Sequence, residues 1–147
     1  MKARYLLVVL LGAVMAVTTG CRTNAVYNVP DQSVLTNKSQ LTEEDVKKAI
    51  IRAGSSLGWN MFADKPGNVL GTLRLRKHMA QVDIYYDLNK YNITYKDSQN
   101  LNYEAAGSEY TDEDGNSHIN ENSTIHSNYN GWVQNLDRAI KAQLNTL

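Results

Sequence analysis

The sequence predicts an α+β domain: an antiparallel four-stranded meander with N- and C-terminal helices packed on one face, making two layers. Three observations predict it. Apolar residues recur at helical spacing over residues 41–58 and again over 125–144, the stretch between them alternates apolar with polar, and Lys65-Pro66-Gly67-Asn68 breaks that alternation with turn chemistry.

The first helix begins at Thr42, whose hydroxyl suits an N-cap with Asp45 at the third position. Val46, Ile50, Ala53 and Leu57 then fall on one stripe, with Ala49 beside them, while Glu43/Lys47 and Glu44/Lys48 pair on the other side. Gly54 is a weak interior position and Gly58 fits a left-handed C-terminal cap.

In the strands, Val69, Gly71, Leu73 and Leu75 share one face, as do Ala80, Val82, Ile84 and Tyr86, and then Ile93 and Tyr95. The opposite face takes Thr72, Arg74 and Arg76, then Gln81, Asp83, Tyr85 and Asp87, then Thr94 and Lys96. The facing of Trp59 and Met61 is open. A two-residue loop at Asn89-Lys90 sets Tyr86 opposite Ile93, Ile84 opposite Tyr95 and Asp83 opposite Lys96. A similar loop at His78-Met79 sets Leu75 opposite Val82, Leu73 opposite Ile84 and Arg74 opposite Asp83, so that Asp83 stands between two cations.

Residues 104–123 are acidic, polar and unperiodic, which predicts a mobile loop. The second helix carries Ile125, Tyr129, Trp132, Val133, Leu136, Ile140 and Leu144 on its stripe, with Asp137/Lys141 as a supporting pair. Gly131 marks either a late start with Asn130 as cap or a close approach of helix to sheet.

Ahead of the domain stand Lys2 and Arg4, then a run without charge over residues 5–17, then small residues up to Gly20 and the only cysteine, Cys21. That is the layout of an export signal over residues 1–20. The apolar run has 13 residues, and a helix needs about 20 to span a bilayer. Residues 21–40, rich in Asn, Ser, Thr and Gln and broken by Pro30, predict a flexible tether to a domain over 41–147. Cleavage after Gly20 leaves 13 basic against 15 acidic residues. A near-neutral chain without a basic cluster points away from nucleic acid, and one cysteine permits no internal disulfide.

The stretch Val17-Thr18-Thr19-Gly20-Cys21 resembles the lipobox of bacterial lipoproteins, with Thr18 where that family usually has Leu. The resemblance implies diacylglyceryl transfer to the Cys21 thiol, cleavage before it and acylation of the new amino end. Several acyl chains together hold a protein stably at a bilayer, at about 0.8 kcal/mol per buried methylene. The blocks "GW", "IYYD", "ITYKDSQNLNY" and "IHSNYNGWVQNL" also resemble a group of small, functionally uncharacterised lipoproteins of Gram-negative bacteria, over residues 58–144 with 110–122 as an insertion. Arg22, rather than Asp, after the lipidated cysteine implies the outer membrane, with the domain facing the periplasm. That resemblance implies location and fold and no catalytic residue.

The chemistry to be expected is therefore a non-enzymatic binding or structural module, held to membrane lipid through Cys21, with an envelope protein or a cell-wall component as its partner and no cofactor. Aromatic rings with a polar handle suit contacts to sugars or proteins, and among nine tyrosines the pattern leaves Tyr85, Tyr91 and Tyr103 unassigned to the core. The alternative is a periplasmic hydrolase or metal-dependent enzyme using His78, His118 or His126. No Gly-x-Ser-x-Gly, His-Glu-x-x-His or glycine-rich phosphate loop accompanies those histidines. The oxygen-rich residues 112–116 miss calcium-loop spacing, since Ser117 and Ser123 stand where Gly and Glu are required.

Overall fold

A computed structural model describes residues 22–147 except 112 and 113. The expected signal segment, Cys21 and part of the acidic 112–116 stretch lie outside the described residues. In chain order the elements are β1 (Thr23–Ala25), β2 (Val29–Ser33), α1 (Glu43–Ser56), β3 (Asn60–Lys65), β4 (Asn68–Leu75), β5 (His78–Tyr86), β6 (Lys90–Gln99), β7 (Glu109–Thr111), β8 (Ser117–Ile119), β9 (Thr124–His126) and α2 (Ser127–Asn145). The class is α+β as expected, with an antiparallel sheet of five strands in the order β2-β6-β5-β4-β3.

The fifth strand comes from the expected tether. Val29 is buried, and β2 pairs with β6 through Val29↔Ile93, Gln32↔Tyr91 and Ser33↔Lys90. Burying one valine and pairing an edge that β6 would otherwise leave open is the physical reason this segment folds. Pro30 is tolerated because β2 is itself an edge strand, bulged between Val29 and Gln32. Further upstream β1 pairs with β9, and Ser127 N–H donates to the Arg22 carbonyl at 2.9 Å. The Asn130 carboxamide completes the clamp, donating to the Ala25 carbonyl and accepting from Tyr27 N–H, both at 2.9 Å. The flexible tether expected over 21–40 is thus corrected over 23–33: among the described residues paired structure starts at Thr23 and runs through β1 and β2.

Helix α1 starts as its sequence dictates. Thr42 and Asp45 form a reciprocal capping box. It stops on a Schellman arrangement in which Gly58, at φ +84°, donates to Ser55 and Trp59 donates to Gly54. Leu57 is therefore the cap residue and is exposed, against its expected place on the stripe. Gly54 has a packing reason: a Cβ there would fall 2.2 Å from Met61 Sδ, so its absence lets α1 settle onto β3.

Both helices cover one face of the sheet, where Ile50, Tyr129, Leu136 and Ile140 meet Val82, Ile84 and Ile93. The expected faces of the strands hold, and the registers differ. Leu75 pairs with His78 around a turn at Arg76-Lys77, and Tyr86 pairs with Tyr91 around Leu88-Asn89. The shifts are of four and two residues, so every side chain keeps its face. Asp83 consequently stands opposite Leu70 and Thr94, bonded to Lys96 at 2.9 Å, and Arg74 stands opposite Met79.

Two further expectations change. Within 104–123, β7 and β8 pair as a hairpin whose base is closed by a Glu104↔Thr124 bridge. Helix α2 starts at Ser127 under a His126 cap, whose Nδ1 accepts from Asn128 N–H at 3.2 Å. Neither explanation of Gly131 survives: the helix has already begun at Ser127, and a Cβ at position 131 meets nothing within 4 Å.

Candidate functional site

The three tyrosines set aside by the sequence pattern end in three different places. Tyr91 is in the core, so it is removed from the binding surface. Its hydroxyl donates to Asp137 Oδ1 at 2.6 Å, and Lys141 Nζ donates to Asp137 Oδ2 at 2.7 Å. Burial first, then the hydrogen bond to Asp137, raises the Tyr91 phenol well above its ordinary value, so it stays protonated and acts as a donor. This chain fastens α2 to β6. A groove of about 340 Å³ lies outside it, lined by residues of β2, Leu35, Lys141 and the C-terminal turn of α2.

Tyr103 is 39% exposed but stacks on Tyr95 with ring centroids 4.4 Å apart, and Tyr95 in turn meets Tyr129 edge-on at 5.6 Å. One ring face of Tyr103 is thereby occupied. Tyr85 alone stands out from a strand, 49% exposed on the sheet face that no helix covers.

The residues around Tyr85 follow from register. Asn68 on β4 and Asn92 on β6 lie directly opposite it on either side, so a ring is flanked by two carboxamides on one rung. The next rung carries Phe62, Leu70, Asp83 and Thr94, and Phe62 is 60% exposed. Hollows of about 210 Å³ and about 120 Å³ open on the two sides of the Tyr85 ring. The turn at Pro66-Gly67 forms their rim. Gly67 takes φ +72° and its carbonyl accepts from Tyr86 N–H at 2.9 Å, which pins that turn beside the ring.

The carboxylates here are bound. Lys96 and, at 3.5 Å, Asn68 hold Asp83. Lys90 holds Asp31 at 2.7 Å, and that pairing keeps the Lys90 ammonium raised. Backbone N–H groups of Asn89 and Lys90 hold the Asp87 carboxyl below its usual range. The face therefore offers an aromatic ring, amides and hydroxyls, with Lys65 opposite Asn68 on the same rung and lining the larger hollow.

No family model, curated protein or solved structure matches this chain.

The histidines are not gathered as a set of three. His78 and His126 come together with ring centroids 6.3 Å apart, and His118 lies on β8 in the hairpin. His78 Nδ1 is 2.6 Å from the Asn100 carbonyl, which makes it the donor, while His126 Nδ1 is occupied as the α2 cap. Among the described residues no group of three His, Cys, Asp or Glu side chains could hold a metal ion, and no helix is long and apolar enough to cross a membrane. Phe62, Asn68 and Asn92 are the site residues that sequence reasoning missed. Asn92 was legible from parity with Thr94, and Phe62 would have followed had the facing of Trp59 been fixed.

Proposed function

We propose that this protein is a lipid-anchored lipoprotein of the bacterial envelope, attached through Cys21, whose domain is a non-enzymatic binding module facing the periplasm from the outer membrane. The observation that carries the reading is the order of the N-terminal chemistry: two cations, 13 residues without a charge, small residues, then the single cysteine. The partner is an envelope protein or a wall component, and the open sheet face around Tyr85 is the surface offered to it.

Mass spectrometry of the protein purified from detergent-extracted envelopes tests the anchor. The expected N-terminal peptide begins at Cys21 and carries the added mass of acyl chains. An intact leader or an unmodified thiol overturns the assignment, and Cys21→Ser is expected to remove the protein from the outer-membrane fraction.

A further inference from the structure

Thr23, two residues after Cys21 in the chain, lies at the end of the domain opposite the Tyr85 face. Thr23 on β1 pairs with His126, whose ring neighbours His78 at the start of β5. Tyr85 stands near the other end of β5. At the usual rise of an extended chain the two positions are about 24 Å apart along that strand. A domain held by its β1 end thus presents Tyr85, the Pro66-Gly67 turn and the hollows beside them away from the lipid.

We propose that the uncovered sheet face centred on Tyr85, with Asn68 and Asn92 beside it and Phe62 across the sheet, binds a neutral chain of hydroxyl- and acetamide-bearing sugars, the glycan of the cell wall. The proposal rests on the lipoprotein reading for its choice of source, and its chemistry rests on the face itself. An exposed phenol ring supplies a flat apolar surface with a polar edge, which suits the C–H face of a sugar ring. Asn92 Oδ1 already accepts from Asp31 N–H at 2.6 Å and Asn68 Nδ2 donates to Asp83 at 3.5 Å, which leaves the Asn92 amide N–H to donate and the Asn68 carbonyl to accept toward hydroxyls and acetamides.

A protein partner fits this face less well. Its two exposed rings lie about 12 Å apart by strand spacing and rise, joined only by half-buried Leu70 and bordered by the Asp83–Lys96 pair, so the apolar area is a narrow strip and not the broad centre that protein interfaces use. Asp83 is paired with Lys96 and Asp31 with Lys90, and Lys65 and Asp87 add one further charge of each sign at the two hollows, so the face has little net field with which to choose a charged partner. One sugar cannot touch both rings, so the ligand that reaches both is a chain.

The test uses the full-length protein purified in detergent and sacculi stripped of protein, with a tetrasaccharide of N-acetylglucosamine as soluble competitor. The wild type is expected to cosediment with sacculi and to be displaced by the tetrasaccharide. Tyr85→Phe keeps the ring and is expected to bind within about twofold of wild type. Tyr85→Ala and Tyr85→Gln are each expected to bind about tenfold more weakly, and Asn68→Ala to weaken binding in the same direction. Circular dichroism and thermal midpoints show which variants retain the fold, and having two ring-less variants keeps the comparison usable if one is lost. Failure of the wild type to cosediment overturns the proposal, as does undiminished binding of a folded ring-less variant. A photocrosslinker at position 85 that joins only protein in whole envelopes also overturns it. Each of these failures leaves the acylation of Cys21, read by mass, untouched.

Discussion

Tyr91 and Tyr129 are both wholly buried, yet their hydroxyls meet opposite circumstances. Tyr91 donates to Asp137, a carboxylate only 7% exposed, whereas the Tyr129 hydroxyl has no hydrogen-bond partner among the described residues. The same substitution should therefore act with opposite sign. Tyr91→Phe leaves one oxygen of a buried carboxylate without its donor and is expected to cost about 1.5–3 kcal/mol. Tyr129→Phe removes a hydroxyl that burial makes costly, and is expected to be neutral or stabilising by about 1 kcal/mol. Urea unfolding of both variants beside wild type checks this, and equal losses in the two would refute it. The core position of Tyr91 was legible, because it lies two residues before Ile93 and so shares its face. What the pattern could not carry was the polar partner, since Asp137 reads as one half of a helix-surface ion pair with Lys141.

At the scale of elements, helix ends and strand faces were readable and strand registers were not. Thr42 and Asp45 announce the start of α1 by spacing alone. The turn between β4 and β5 announces itself poorly, because Arg76 takes a left-handed φ of 55° and nothing in an arginine signals that. The capping box also makes a prediction about acid. Hydrogen bonds from Lys38, then from Thr42, hold the Asp45 carboxyl well below the usual carboxylate range. A depressed folded-state value means the stabilisation is complete above the ordinary aspartate pKa of about 3.9 and is lost as pH falls from there toward the folded value. Thermal midpoints measured from pH 6 down to pH 2.5 should fall less steeply for Asp45→Asn than for wild type, the two curves converging at the acid end. Parallel curves would show that this carboxylate contributes nothing. Gly131 offers a second check on α2: with open space at its Cβ, Gly131→Ala should raise stability by about 1 kcal/mol, as read by urea unfolding.

For the whole molecule, the decisive segment is the one composition hides. Residues 22–34 look like linker because they are polar and contain Pro30, yet they close one edge of the main sheet through β2 and brace the start of α2 through β1. If Cys21 is acylated, this leaves almost no slack between lipid and domain: the orientation of the domain is set by β1, and its far end is the Tyr85 face. The same contacts make the segment part of the folding unit. Deleting it removes the burial of Val29, about 1.5–3 kcal/mol, together with the Asn130 clamp and the cover over the β6 edge. A chain starting at residue 41 is expected to unfold at lower urea than one starting at residue 22, and to self-associate through the bared edge of β6. Coincident unfolding midpoints, with both chains monomeric by sedimentation, would return the segment to the status of a tether and remove the basis for a fixed orientation at the membrane.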